Sequence, residues 1–296
     1  MENLKINKSR LAIGSAQFGS SYGISNKSGI VGQEELENII KLAKFNGIDM
    51  LDTATSYGKA QSSLGLVGVK SFKVITKIPV FTFQTVEIDS IIKDFIYESL
   101  EQLALNKLYG VLIHDSAMLL GPNAETIFNS LKKLQSEGLT KKIGISSYSP
   151  EDIMKIANRF DIDLVQAPMN LIDRRMESTG CLGYLKEKKI EIHIRSAFLQ
   201  GLLLMPHNKI PKEFNKWSQV WKNWKDWQDA SGLNKISACL AYPLSFSEVD
   251  RLVVGTESVS QLEEIIKSIK KIPISELPDI SNYSEDLINP SKWKAT

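Results

Sequence analysis

The sequence has little cysteine, little histidine and no long apolar run. Among its 296 residues only Cys181 and Cys239 are cysteines and only three are histidines. Two cysteines in unrelated contexts cannot build a disulfide framework or a thiolate metal site, so reduced thiols and no bound metal are expected. No apolar stretch reaches the roughly 20 residues that a membrane helix needs. The first residues, MENLKINKSR, have no apolar core of the kind a secretory signal carries, so the expected location is the cytoplasm. Charge of one sign is missing too. With 36 basic and 34 acidic side chains, there is no electrostatic reason to expect a nucleic acid or a membrane surface as partner. Also absent is G-x-G-x-x-G after the first strand, which disfavours a doubly wound dinucleotide-binding sheet.

What is present is an alternation of short β-like runs and helical patterns. Eight runs, at 10–15, 47–52, 72–77, 110–115, 141–146, 162–167, 190–195 and 251–256, are rich in Ile, Val and Leu and almost continuously apolar. Parallel strands covered on both faces have that character. Between them, Leu36, Ile39, Ile40 and Ala43 follow helical spacing, with Glu34 and Glu35 suited to the first turn of that helix and Gly47 to its end. Ile127, Leu131 and Leu134 make a second stripe, and Leu262, Ile265, Ile266 and Ile269 a third. No biased linker divides the chain. Eight strand–helix repeats predict a single (β/α)8 barrel over residues 1–296, with a poorly patterned tail from about 276 that either wraps over the barrel or stays mobile.

In such a barrel chemistry belongs at the carboxyl ends of the strands. Those ends carry Asp52, Lys77 and His114, and the loop after strand two carries Tyr57. Each alone has an ordinary explanation: a helix cap, a snorkelling lysine, a structural histidine, a packed ring. Four polar residues from three successive strands make the ordinary explanations less economical.

Here the sequence resembles the aldo-keto reductase family. The matching segments are DTATSYG (52–58), ITK (75–77), LIHD (112–115), IGISSYS (143–149), VQAPMNL (165–171), SAFLQGLL (196–203) and GTESVSQLEE (255–264), all in family order. The resemblance implies a (β/α)8 barrel and NAD(P)-dependent reduction of an aldehyde or ketone. In that chemistry a hydride reaches a carbonyl carbon and negative charge grows on the oxygen, so a proton donor must stand beside it. A phenol is a weak acid, with a pKa near 10, that a nearby ammonium would strengthen. Tyr57 is then the expected acid, Lys77 its tuner, Asp52 the carboxylate that holds Lys77, and His114 the group that orients the carbonyl or assists the proton transfer.

The resemblance also implies the cofactor contacts. Ser146, Ser147, Gln166 and Asn170 are expected near the nicotinamide amide. Ser196, Phe198, Gln200, Gly201 and Leu202 would follow the pyrophosphate, and Gly255, Thr256, Ser260, Gln261 and Glu264 the adenosine end. NADPH is the cofactor that the family favours. NADH is the alternative, because Glu257 stands where many relatives carry a basic side chain. Arg195 stands where many relatives stack an aromatic ring on the nicotinamide. A planar guanidinium could do the same and disfavour the oxidised, cationic ring, or could simply be solvated. Trp217, Trp221, Trp224 and Trp227 share one helical face, which could be a core stripe, a cleft wall or a contact between copies. Phe18, Tyr22 and Tyr148 are further wall candidates. The expected partner is a small carbonyl compound, with sugar-derived carbonyls slightly favoured. A nucleotide-binding, redox-sensing regulatory subunit is the competing class, and oligomeric state is not legible.

Overall fold

The computed structural model describes residues 8–82, 87–269 and 272–293. Eight parallel strands close into a barrel in chain order: β1 (Leu11–Gly14), β2 (Met50–Asp52), β3 (Lys73–Ile78), β4 (Leu108–Ile113), β5 (Thr140–Ser146), β6 (Leu164–Pro168), β7 (Glu191–Arg195) and β8 (Arg251–Gly255). β8 pairs with β1 to complete the ring, Gly255 lying beside Gly14. Each strand falls within or beside one of the eight apolar runs. The runs are continuous because the barrel buries both faces of every strand. Ala12, Met50, Ile75, Leu112, Leu164 and Val253 form a small inner cluster, and a larger outer cluster lies under the helices.

The helices are α1 (Ala16–Gly19), α2 (Gln33–Phe45), α3 (Ala60–Val67), α4 (Ile88–Leu103), α5 (Ala124–Ser136), α6 (Pro150–Arg159), α7 (Arg175–Ser178), α8 (Cys181–Glu187), α9 (Ser218–Ser231), α10 (Lys235–Leu244), α11 (Val259–Ser268) and α12 (Glu285–Ile288). The stripe Leu36, Ile39, Ile40 and Ala43 is the buried face of α2, worth roughly 1.5–3 kcal/mol for each large aliphatic side chain. Ile127, Leu131 and Leu134 do the same for α5. α6 starts where Ser149 accepts a bond from the Asp152 N–H and Pro150 fills the first turn. No helix among the described residues is long and apolar enough to cross a membrane.

Two regions left open by the sequence resolve clearly. The segment after 276 wraps over the barrel, burying Leu277, Ile280, Leu287 and Ile288. It is tied down by Asn282 N–H donating to Ile172 O at 2.9 Å and by Arg174 donating to Pro278 O at 2.6 Å. The tryptophan face is a core stripe. Trp221 and Trp224 are buried, and their indole N–H groups donate to Phe214 O at 2.8 Å and Leu203 O at 3.0 Å. Trp227 donates to Glu276 O at 2.8 Å, so this face anchors the tail instead of walling a cleft.

Candidate active site

The strand ends converge on one cavity of about 980 Å³, within the range of small-molecule and cofactor sites. Lys77, one residue before the end of β3, lies under its floor with only 1% of its surface exposed. Its ammonium donates to Asp52 Oδ2 at 2.6 Å and to Thr53 O at 3.0 Å, and lies 5.2 Å from the centre of the Tyr57 ring. Asp52 takes its second bond from the Gln166 side-chain amide at 2.7 Å. Burial pulls the Lys77 pKa down, and Asp52 works against that pull.

The Tyr57 loop is positioned by the backbone. Thr55 N–H and hydroxyl both donate to Lys77 O, at 3.3 and 3.1 Å. Gly19 and Gly58 pack so closely that a Cβ on Gly19 would lie 1.7 Å from Tyr57 O. Gly58 itself adopts φ +54°, a left-handed conformation that glycine takes without strain. His114 follows β4, its ring edge-on to Tyr57 with centroids 5.9 Å apart and its Nδ1 3.4 Å from Ser56 Oγ.

The electrostatics differ from expectation in one respect. Burial, then Asp52, pushes the Tyr57 phenol above its ordinary range, and Arg195 is the cation that opposes them. The expected tuner, Lys77, is held by Asp52 beneath the ring, and the cation that works on the phenol is Arg195. Burial, with Lys77 and Arg195, lowers His114 to about 4. Burial works against the Arg195 charge as well, but Tyr148, Tyr22 and Tyr57 around it outweigh that and raise its pKa. The guanidinium lies over the Tyr148 ring at 4.1 Å and reaches Ser196 Oγ at 3.4 Å. It is therefore part of the cavity and not a solvated strand-end arginine.

Of the residues singled out from sequence, Asp52, Tyr57, His114, Gln166, Arg195, Ser196, Phe198, Gln200, Gly201, Gly255, Thr256, Gln261 and Glu264 line the cavity, as do Tyr22 and Tyr148. Others lie behind it. Ser147 receives the Ser116 hydroxyl at 2.8 Å. Asn170 donates to Ser196 O at 3.1 Å and accepts from the Ile172 and Asp173 N–H groups, so its amide shapes the loop after β6. Ser146 and Leu202 are buried outside the lining, and Phe18 is in the core. Ser260 pairs with Ser258 at 2.9 Å on the outer side of α11.

Sequence reasoning did not find Ser15, Gln17, Ser25, Lys235, Pro290 and Ser291, which also line the cavity. Lys235 donates to Met205 O at 2.6 Å. Ser25, from the loop after β1, meets the loop after β7, its hydroxyl reaching Gln200 O at 3.4 Å while Gln200 donates to the Tyr22 hydroxyl at 3.2 Å. Together these loops cover part of the mouth. Buried polar atoms without a partner include Ser15 Oγ and Gln166 Oε1. Both belong to residues of the cavity lining, and a buried polar atom is costly unless something completes it.

A model of the aldo/keto reductase family matches residues 10–284. The chain belongs to the aldo/keto reductase family. That membership makes it an oxidoreductase of carbonyl chemistry. Curated relatives include an oxidoreductase named sirO from Leptosphaeria maculans, 24% identical over 90% of each chain. L-galactose dehydrogenase from Arabidopsis thaliana is also 24% identical, over 91% of this chain and 87% of the relative. Among solved structures, an aldo-keto reductase from Bacillus halodurans in its holo form superposes with a TM-score of 0.72 at 18% identity, covering 90% of this chain and 89% of that one. A glycerol dehydrogenase from Gluconobacter oxydans gives 0.69 at 19% identity, covering 90% and 88%. At those identities the two structures speak for the fold alone.

Proposed function

We propose that the protein reduces an aldehyde or ketone, sugar-derived carbonyls included, to an alcohol, using a reduced nicotinamide dinucleotide and Tyr57 as proton donor. The observation that carries this reading is the buried Lys77–Asp52 pair beneath Tyr57, at 2.6 Å, on the floor of a cavity large enough for a dinucleotide. The lining fits the cofactor. Gln166 Oε1 and Ser15 Oγ lack partners, and a carboxamide offers N–H groups to such acceptors. Arg195, Ser196, Phe198, Gln200 and Gly201 would hold the middle of the dinucleotide, and Gly255, Thr256, Gln261 and Glu264 its far end. When bound, a reduced nicotinamide supplies hydride.

The chain's own residues manage the proton. A phenol held above its ordinary range keeps its proton at neutral pH, so the acid form of Tyr57 is the resident one. As charge develops on the carbonyl oxygen, that oxygen becomes the stronger base and the Tyr57 O–H donates to it. The phenolate left behind is stabilised by Arg195, the cation that already opposes the rise of the Tyr57 pKa, until solvent returns a proton. His114, neutral at pH 7 with its pKa near 4, orients the carbonyl by a hydrogen bond and does not deliver a charged proton. Tyr22 and Tyr148 wall the approach.

Fluorescence titration with NADH and NADPH, followed by an activated aromatic aldehyde as oxidant, tests the reading. Saturable binding and aldehyde-dependent nucleotide oxidation are expected. In Tyr57→Phe turnover should fall by about 10²–10⁴-fold with nucleotide binding unchanged. Retained turnover in that variant would move the acid role elsewhere, and absence of nucleotide binding would overturn the assignment.

A further inference from the structure

We propose that this chain selects the unphosphorylated dinucleotide, NADH, over NADPH, and that Glu35 and Glu257 enforce the choice. The inference rests on reading the cavity as a dinucleotide site. One end of that cavity is fixed by Asp52, Tyr57 and His114, where hydride must be delivered. The lining continues along Gly255, Thr256, Glu257, Gln261, Glu264 and Ile265 at the start of α11. A dinucleotide with its nicotinamide at Tyr57 therefore places its adenosine ribose at α11.

The N–H groups at a helix start ordinarily receive phosphate. In this chain three of the N–H groups around that start are already engaged. The Val259 N–H donates to the Glu35 carboxylate at 2.6 Å, the Gln261 N–H to Ser258 Oγ at 3.2 Å, and the Glu257 N–H to Gln261 Oε1 at 2.8 Å. Glu35 belongs to the first turn of α2, yet its side chain crosses to α11, so the positive end of α11 has a resident carboxylate. A phosphate on the ribose 2′-oxygen would have to displace that carboxylate or lie beside it.

The charges around this end point the same way. The charged residues that α11 and the turn before it contribute to the cavity lining are Glu257 and Glu264, both acids. The cations that line the cavity come from elsewhere. Arg195 ends β7 and stacks on Tyr148, and Lys235 starts α10 and donates to Met205 O. Glu257 is half-buried, and burial raises its pKa, so a second negative group beside it is unwelcome. A free ribose diol reverses the sign of the interaction. Its hydroxyls donate, carboxylates accept, and an acidic residue at a ribose 2′-hydroxyl is a recurrent solution in dinucleotide sites.

The test is a set of dissociation constants from fluorescence titration of NADH and NADPH against the wild-type chain, Glu35→Gln and Glu257→Gln, at low and moderate salt. NADH should bind at least about tenfold more tightly than NADPH in the wild type. That ratio should narrow in each variant, and should narrow with salt as the repulsion is screened. Glu35→Gln keeps an acceptor oxygen for the Val259 N–H, and thermal melts check that both variants fold. The wild-type ratio and its salt dependence decide the matter even if a variant is lost. NADPH binding as tightly as NADH, or a ratio that neither variant moves, overturns the inference and leaves the reductase reading standing. Failure to bind either nucleotide overturns the reductase reading and this inference with it.

Discussion

Gln166 donates its side-chain amide to Asp52 Oδ1 at 2.7 Å and leaves its own oxygen without a partner. One side chain thus completes the buried carboxylate on its nitrogen side and offers an acceptor to the cavity on its oxygen side. Asp52 Oδ2 is held by Lys77, so both carboxylate oxygens are occupied and neither bond can be lost cheaply.

Gln166→Leu removes both functions at nearly constant shape. Leaving Asp52 Oδ1 buried and unsatisfied is expected to cost about 1–3 kcal/mol of stability, read by urea unfolding. Nucleotide affinity should weaken in the same variant, read by titration. Unchanged stability and unchanged affinity together would show that the amide is incidental.

The close approach of Gly19 to the Tyr57 loop gives a second prediction. A Cβ at Gly19 would lie 1.7 Å from Tyr57 O and 2.4 Å from Ala60 N, both backbone atoms. The loop must move in Gly19→Ala, and overpacking of this kind costs about 1–3 kcal/mol. Because Tyr57 rides on that loop, kcat should fall well beyond the loss of folded protein. Gly32→Ala, where a Cβ meets nothing within 4 Å, is the control and should leave kcat unchanged. Equal rates for the two variants would separate the Tyr57 loop from its glycine packing.

The eight strands were legible because a strand buried on both faces must be apolar along its whole length, whichever way its side chains point. Asp52, Lys77 and His114 were legible because polar residues end three successive runs, although any one of them alone has an ordinary explanation. What could not be read were partnerships between distant segments. Glu35 looked like the complement of its own helix, yet its carboxylate serves Val259, 224 residues away. Ser15, just after β1, Gln17, in α1, and Pro290 and Ser291, in the tail, reach the cavity through chain closure, which leaves no local pattern. Asn170 and Ser147 were expected, on the family resemblance, near the nicotinamide amide. Those same atoms stabilise the loops themselves, and composition does not distinguish the two uses.

His114 supplies a pH prediction. Burial first, then the positive charges of Lys77 and Arg195, lowers its pKa from 6.5 to about 4. The pH profile of kcat/KM should therefore show no ionisation near 6.5, and an acid limb belonging to His114 should appear only near 4. The sign for stability follows. Above 6.5 the ring is neutral both folded and unfolded, and the full stability is present. As pH falls from 6.5 toward 4 only the unfolded chain takes the proton, so stability declines through that window. His114→Asn should flatten that part of the stability curve. A break in the rate profile at 6.5 that vanishes in the variant would contradict the lowered value.

The opposite end of the barrel carries a second, partly buried charge cluster, whose loss should affect stability and spare chemistry. Glu191 opens β7, while Arg195 closes it, a separation of about 13 Å along the strand. Its side chain is 12% exposed. One carboxylate oxygen is 2.7 Å from His193 Nε2, and the other accepts from the Lys142 ammonium and, at 2.8 Å, from the Tyr109 hydroxyl. Burial opposes the ionised form, but the bonds from His193, Lys142 and Tyr109 outweigh it and hold the carboxyl well below its usual range. Glu191→Gln leaves Lys142 without its partly buried counter-charge, and losing a hydrogen bond to such a charged group costs about 1.5–3 kcal/mol. Because the folded-state pKa is depressed, this stability is present above the unfolded carboxyl value of about 4.3 and is lost as pH falls below it. Urea unfolding at pH 5 and pH 3 should therefore show wild type losing stability between the two, with Glu191→Gln losing less. Turnover of the folded variant should match wild type, since residues at the amino end of a barrel serve stability and those at the carboxyl end serve catalysis. A variant as stable as wild type at pH 7 would mean that the cluster contributes specificity of folding and no net stability.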